Sequence, residues 1–308
     1  MNFSIGLRAA WAAALPLALL LPRVAAACAC GCGIFDVGTG SNFPDGSGGL
    51  LYVESNYLDQ DSNYSGSARS PAAANPGQRI RSRFLTFGTQ YMFNRAWGVV
   101  VELPYWRRDF VTTEGLSTAS YSHGALGDVR IKGVYSGFSD DMSTGITAGL
   151  KLATGDSSYP NFDADTEIGS GSTDLLLGAY HLGALSDDGR YSYFVRTQWQ
   201  QPLASKAGYR PGSELVGVAG GYYAGWNFGR LRLAPIAQLT AVWRGHDAGP
   251  LARPTDSGYT RLLFAPGLEA DVGRTRVFLD AAFALSDNVS GQQLIARRLY
   301  TLHLSYRF

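Results

Sequence analysis

From residue 50 to the end of the chain, short segments of alternating apolar and polar residues recur between clusters of Gly, Asn, Asp and Ser. This is the signature of half-buried strands joined by turns. About twelve such segments can be delimited on that pattern: 50–59, 79–93, 97–110, 124–138, 143–154, 171–183, 191–203, 213–225, 230–244, 258–271, 274–285 and 297–308. None holds a sustained 3.6-residue apolar period, so no helical domain is expected. Several exceed the five or six residues usual for globular strands and suit a tilted membrane crossing.

The connections fall into two classes. Short turns are expected at Asn94-Arg95, Ser139-Asp140-Asp141, Ser186 to Arg190, Asn227-Phe228-Gly229 and Val272-Gly273. Longer polar loops are expected at 61–78, 112–123, 155–170, 204–212, 245–257 and 286–296. The two classes alternate strictly, which gathers every long loop at one end of an antiparallel up-and-down arrangement. A transmembrane β-barrel of bacterial outer-membrane type has that form, with tight periplasmic turns, long outer loops and an even strand number. An even number places both termini on the periplasmic side.

Within strands, Leu302, Leu304 and Tyr306 oppose His303, Ser305 and Arg307, and Leu231, Leu233 and Leu239 oppose Arg230, Arg232 and Gln238. Period two alone does not say which face is buried, since a soluble sandwich would turn the apolar face inward. Composition decides. Charged residues make up 17% of the chain against 45% hydrophobic, at a mean hydropathy of −0.06. Soluble domains carry about 25% charged residues, so something other than a charged, water-facing surface must cover this fold. The 26 basic and 25 acidic residues leave a net charge of +1, which argues against a nucleic-acid partner. Apolar content this high excludes disorder. The apolar faces are therefore expected to touch outer-membrane lipid, with Tyr and Trp near strand ends as interfacial girdles.

Residues 1–27 read as a signal peptide. Arg8 precedes the uncharged stretch Ala9 to Leu21, and Val24-Ala25-Ala26-Ala27 supplies small residues for cleavage. Segment 28–49 then packs all three cysteines into Cys28-Ala29-Cys30-Gly31-Cys32. Three readings stay open. Thiolates at this spacing suit Cu(I) or Zn(II), Cys28 can be a lipidated residue, and Cys30 and Cys32 can form a disulfide in an oxidising compartment. The same segment, rich in Gly, is expected to lie in the periplasm or to plug the barrel formed by 50–308.

The terminal Tyr306-Arg307-Phe308 resembles the carboxy-terminal signature by which outer-membrane barrels engage the barrel-assembly machinery. More specifically, Leu126-Gly127-Asp128-Val129-Arg130-Ile131-Lys132, followed by Gly149-Leu150-Lys151-Leu152-Ala153-Thr154-Gly155-Asp156, is similar to the outer-membrane family labelled "MetA-pathway of phenol degradation". Gly171-Ser172-Thr173-Asp174-Leu175-Leu176-Leu177-Gly178 and Tyr209-Arg210-Pro211-Gly212-Ser213-Glu214-Leu215 fit the same pattern. The likeness spans roughly residues 80 to 308. It implies a transporter-like barrel, not a phenol enzyme.

If the polar faces point inward, the lumen is lined by Glu54, Glu102, Asp128, Arg130, Lys132 and Lys151 from the first strands. Later strands add Arg196, Gln198, Arg261, Glu269, Arg276, Asp280 and Arg307. The interspersed signs fit either a cross-lumen salt-bridge network or an aqueous channel with little ion preference, since twelve strands lie between filled and open barrels. The expectation is a passive channel for small solutes. The alternative is a barrel housing a metal-binding or redox-docking cysteine cluster. Enzymatic activity is not expected, because His123, His181, His246 and His303 sit in no nucleophile elbow or metalloprotease motif.

Overall fold

The computed structural model describes residues 28–29, 43–44, 46–71, 78–114, 117–206, 208–223 and 225–308. The expected signal peptide, together with Cys30 and Cys32, lies outside the described residues. The strands are β1 (Cys28–Ala29), β2 (Gly48–Gly66), β3 (Ala68–Arg69), β4 (Arg79–Met92), β5 (Trp97–Glu114), β6 (Ser117–Leu126), β7 (Arg130–Tyr135) and β8 (Thr144–Lys151). They continue with β9 (Ser172–Ala184), β10 (Tyr191–Ser205), β11 (Glu214–Tyr223), β12 (Trp226–Phe228), β13 (Leu231–Arg244), β14 (Tyr259–Val272) and β15 (Thr275–Arg307).

Hydrogen-bonded neighbours run β2, β4, β5, β7, β8, β9, β10, β11, β13, β14 and β15, and β15 pairs with β2 to close the barrel. The element β15 supplies two staves. Its first half pairs with β14 and its second with β2. The Arg307 N–H donates to the Arg274 carbonyl at 3.0 Å, setting the halves side by side. The chain reverses at Gly291, whose φ of +64° favours glycine. Eleven ring elements among the described residues thus form twelve staves. Closure leaves no strand edge unpaired within lipid, which a membrane-spanning sheet requires.

The structure departs from the expected segments in two ways. Parts of the loops expected at 61–78, 112–123 and 286–296 are strand, because β2 runs to Gly66, β5 and β6 form a tall hairpin, and β15 is continuous. Alternating Ser, Thr and Tyr, as in Ser117–Leu126, sustain the backbone ladder above the lipid. The expected strand 124–138 is broken at 127–129 into β6 and β7, both paired to β5. There Gly127 keeps its N–H on the Pro104 carbonyl at 2.8 Å, and Asp128 turns into the barrel as a buried residue.

Burial settles which face is which. Leu239, Leu279 and Leu302 are 44%, 51% and 51% exposed, while their neighbours Gln238, Asp280 and His303 are buried. The apolar face points outward. Exposed rings gather where strands end: Phe93, Trp97, Phe138 and Phe228 at the short-turn end, and Tyr105, Trp243 and Tyr300 toward the long-loop end. From Leu231 to Trp243, twelve steps of ~3.3 Å at a ~40° tilt rise about 30 Å, enough for the apolar band of an outer-membrane barrel.

The interior is only partly polar. Toward the short turns, Met92, Val134, Tyr180, Phe194, Val218 and Ile236 face inward in one packed cluster. Phe43 reaches this cluster, with its ring centroid 5.1 Å from that of Tyr180 and 5.9 Å from that of Phe194. At the other end of the barrel, β1 pairs in parallel with Gln293 and Leu294. Cys28, as part of β1, is placed there by its backbone.

Candidate functional site

Above the apolar packing, two connections turn into the barrel. The first joins β8 to β9, and Asp128 pins its ends. The Asp128 carboxylate accepts the Gly155 N–H at 3.0 Å, the Ser170 N–H at 2.9 Å and the Ser170 hydroxyl at 2.6 Å. Gly155 and Gly169 pass so closely that a Cβ on Gly155 would lie 2.7 Å from the Gly169 Cα, so this crossing needs glycine. Beneath it, Lys151 Nζ lies 2.8 Å from Asp174 and 3.5 Å from Asp128, all three buried. Asp174 also accepts Gln200 Nε2 at 2.5 Å.

The loop then drops inward. Ile168 is buried, and its N–H donates to the Tyr159 hydroxyl at 2.8 Å. The Arg108 guanidinium donates to the Thr166 carbonyl, and Lys206 holds Glu167 at 2.6 Å. Tyr159 stacks on His123 with centroids 3.8 Å apart. Burial pushes the Tyr159 phenol up to about 12, so it stays protonated and available as a donor.

The second inturned connection joins β10 to β11 and is organised by Asp247. Its carboxylate takes the Tyr209 hydroxyl at 3.0 Å, the Gly212 N–H at 2.8 Å and Arg244 at 2.9 Å. Burial raises the Tyr209 phenol well above its ordinary value, which keeps that hydroxyl a donor as well.

Between the wall and these loops lies a chamber of about 1120 Å³, part of it open to solvent. Tyr52, Pro104, Trp106, Ile168, Tyr209 and Pro211 give it apolar and aromatic surface. Glu54, Glu102, Arg108, Arg130, Glu214 and Arg244 interleave charge with those rings. The Tyr52 hydroxyl donates to Glu102 Oε1 at 2.6 Å, and Lys132 Nζ sits 3.1 Å from Glu102 Oε2. Trp106 has its indole N–H without a hydrogen-bond partner.

The residues expected along the lumen separate into groups. Glu54, Glu102, Asp128, Arg130 and Lys151 line the chamber, with Lys132 behind Glu102. Glu269 and Arg276 belong to a second cluster at the short-turn end, where Arg276 lies 2.6 Å from Asp271 and 3.4 Å from Glu269, and Arg307 bears on Glu269 electrostatically. Asp280 accepts from Gln238 at 2.8 Å. Arg261 is held by Asp287 at 2.6 Å and by the Ala296 carbonyl at 2.5 Å, close to the long-loop end. Arg196 and Gln198 alternate with outward Val195 and Trp199. The lumen is thus polar in separate clusters, not along its whole inner face.

Sequence reasoning did not place Trp106 and Arg108 of β5, Glu214 of β11 or Tyr209 in the lumen, and it put Arg244 on the polar face of its strand without singling it out. Tyr209 was hidden because a loop written in polar residues looks like a solvated loop. The signal lay in Tyr209-Arg210-Pro211-Gly212, where an aromatic and a proline occupy a supposedly wet connection. The histidines are tied up locally. His123 meets Asp156 at 2.9 Å, His181 bridges Thr144 and Tyr193, His246 meets the Pro254 carbonyl, and His303 lies 3.3 Å from Glu54. Ser122 faces away from His123 and donates to Asp109.

No protein-family model matches the chain, and no curated protein matches it by sequence. Solved structures do resemble it. The COG4313 outer membrane channel from Pseudomonas putida F1 aligns over 89% of this chain and 100% of its own, at a TM-score of 0.66 and 14% identity. The beta domain of the Bordetella autotransporter BrkA aligns over 85% and 100%, at 0.53 and 12%. At such identities the likeness is one of architecture: the chain has the fold of an outer-membrane β-barrel.

Proposed function

We propose that this barrel is a channel through which small amphiphilic solutes diffuse passively across the outer membrane. The observation that carries the reading is the chamber itself, where the rings of Tyr52, Trp106 and Tyr209 alternate with Glu102, Arg108 and Arg130. Recognition sites of this kind pair apolar walls with a few placed polar groups. Trp106 offers the chamber its ring, while its indole N–H is buried away from it. A solute with an aromatic body and one polar substituent matches those walls. The architecture shared with an outer membrane channel supports the same reading, as does the similarity to a transporter-like family seen in the motifs around Asp128 and Asp174.

Flux into vesicles tests it. Wild-type protein should pass phenol-sized aromatic alcohols and acids faster than a sugar of similar mass, and Trp106→Ala should shrink that preference by about threefold to tenfold, the effect of one lost ring–ring contact. Vesicles no more permeable than protein-free controls would overturn the proposal.

A further inference from the structure

The overall balance of charge conceals a local imbalance on the outside of the wall. The chain contains 23 arginines and only 3 lysines, and six of those arginines converge on one outward patch. In β4, Ile80, Ser82 and Phe84 are buried, so Arg79, Arg81 and Arg83 point outward. In β5, Glu102 and Arg108 are buried and Arg107 points outward. Arg297 and Arg298 are both exposed at a bulge in β15, where Ala296 pairs with Gln60 and Leu299 with Leu58, leaving the two arginines opposite Asp59.

Strand register fixes the height of this patch. One cross-barrel row reads Leu302, Ser55, Leu85, Tyr105 and Leu126, which is lipid-facing. The next row toward the long loops reads Tyr300, Tyr57, Arg83, Arg107 and Gly124. Beyond it come Asp59, Arg81, Asp109 and Ser122. The arginines therefore begin at the aromatic row where hydrocarbon ends and headgroups begin.

Arg83 and Arg107 are directly paired across the strands. Like charges in that position repel and destabilise a sheet. They share Asp109, at 2.8 Å and 3.5 Å, yet their side chains remain 54% and 57% exposed. Arg79 and Arg81 likewise share Asp59. Among the described residues, three outward carboxylates, Asp59, Asp61 and Asp109, answer six guanidinium groups, so the patch keeps a positive excess directed at the membrane surface. Guanidinium, planar and forked, matches phosphate oxygens in pairs, which a lysine ammonium does not.

We propose that this patch binds the phosphate groups of the phosphorylated glycolipid of the outer leaflet, the long-loop end facing outward as in bacterial barrels. Acyl chains would lie along Leu85, Tyr105 and Leu302, and the phosphorylated sugar against Arg83, Arg107, Arg297 and Arg298. This site is outside the lumen and independent of what the channel carries.

The test uses the full chain folded in detergent and native mass spectrometry, with bisphosphorylated lipid A as probe. Wild type should bind it about tenfold or more tightly than R83Q/R107Q/R297Q/R298Q, since each charge-assisted hydrogen bond lost is one of the stronger kind. R190Q, at a short turn, should bind like wild type. Removing one phosphate from the probe should weaken binding. If the quadruple variant does not fold, R83K/R107K keeps the charge and decides the matter by an intermediate loss. Unchanged affinity in these variants, or equally effective competition by phosphatidylglycerol, would overturn the proposal.

Discussion

In β13, Leu239 faces lipid and Gln238, one residue earlier, faces the Asp280 carboxylate inside the barrel. The two positions share backbone geometry and differ only in which solvent their side of the sheet meets. Outside, a charge has neither water nor partner within the apolar band. Inside, charges survive only in groups, such as Lys151 with Asp128 and Asp174. Within the apolar band the outer face is therefore specified by composition, and the charged groups of the inner face by pairing.

That contrast can be broken from either side. The largest effect is expected inside. Lys151→Ala leaves Asp128 and Asp174 buried without their cation, and breaking such a group costs about 3–5 kcal/mol. Urea-dependent folding in vesicles should show that loss, and a midpoint equal to wild type would show that water replaces the lysine. Next comes the outer face. Leu279→Arg, near the middle of the band, should cost about 2–4 kcal/mol in the same assay. Neighbouring Asp280→Asn should cost less, because the amide still fits Gln238. The smallest effect is expected at a short turn, where the exposed pair Arg95–Asp140, 2.6 Å apart, lies in water. Asp140→Ala should leave the midpoint where it is, as surface ion pairs usually contribute little. A large loss there would mean that the short turns, too, depend on pairing.

How much of this could be read in advance follows the same division. Period-two alternation in segments such as 230–244 and 297–308 revealed the strands, the alternation of short and long connections gave the up-and-down barrel, and the low charge turned the apolar face outward, because each is written along the chain itself. The two-stave element β15 was foreseen as two segments, although its loop proved to be a hairpin reversing at Gly291. The chamber was not legible. Its loop is held by Arg108, Lys206 and Asp128, which lie far from Thr166, Glu167 and Ser170 in sequence, and polar loop residues look the same whether water or a distant arginine satisfies them. The apolar inner cluster around Phe194 was hidden for a related reason: alternation distinguishes two faces and says nothing about what fills the space one of them encloses.

The most direct check is a scan of spin labels along residues 236–241 of β13, in a background with Cys28, Cys30 and Cys32 changed to Ser. Labels at 237, 239 and 241 should collide with membrane-dissolved oxygen, and those at 236, 238 and 240 should be shielded from it. Because Ile236 is apolar yet faces inward, the scan reports position and not mere hydrophobicity. The opposite phase, or no alternation at all, would contradict a barrel whose apolar side meets lipid and whose polar side encloses the chamber.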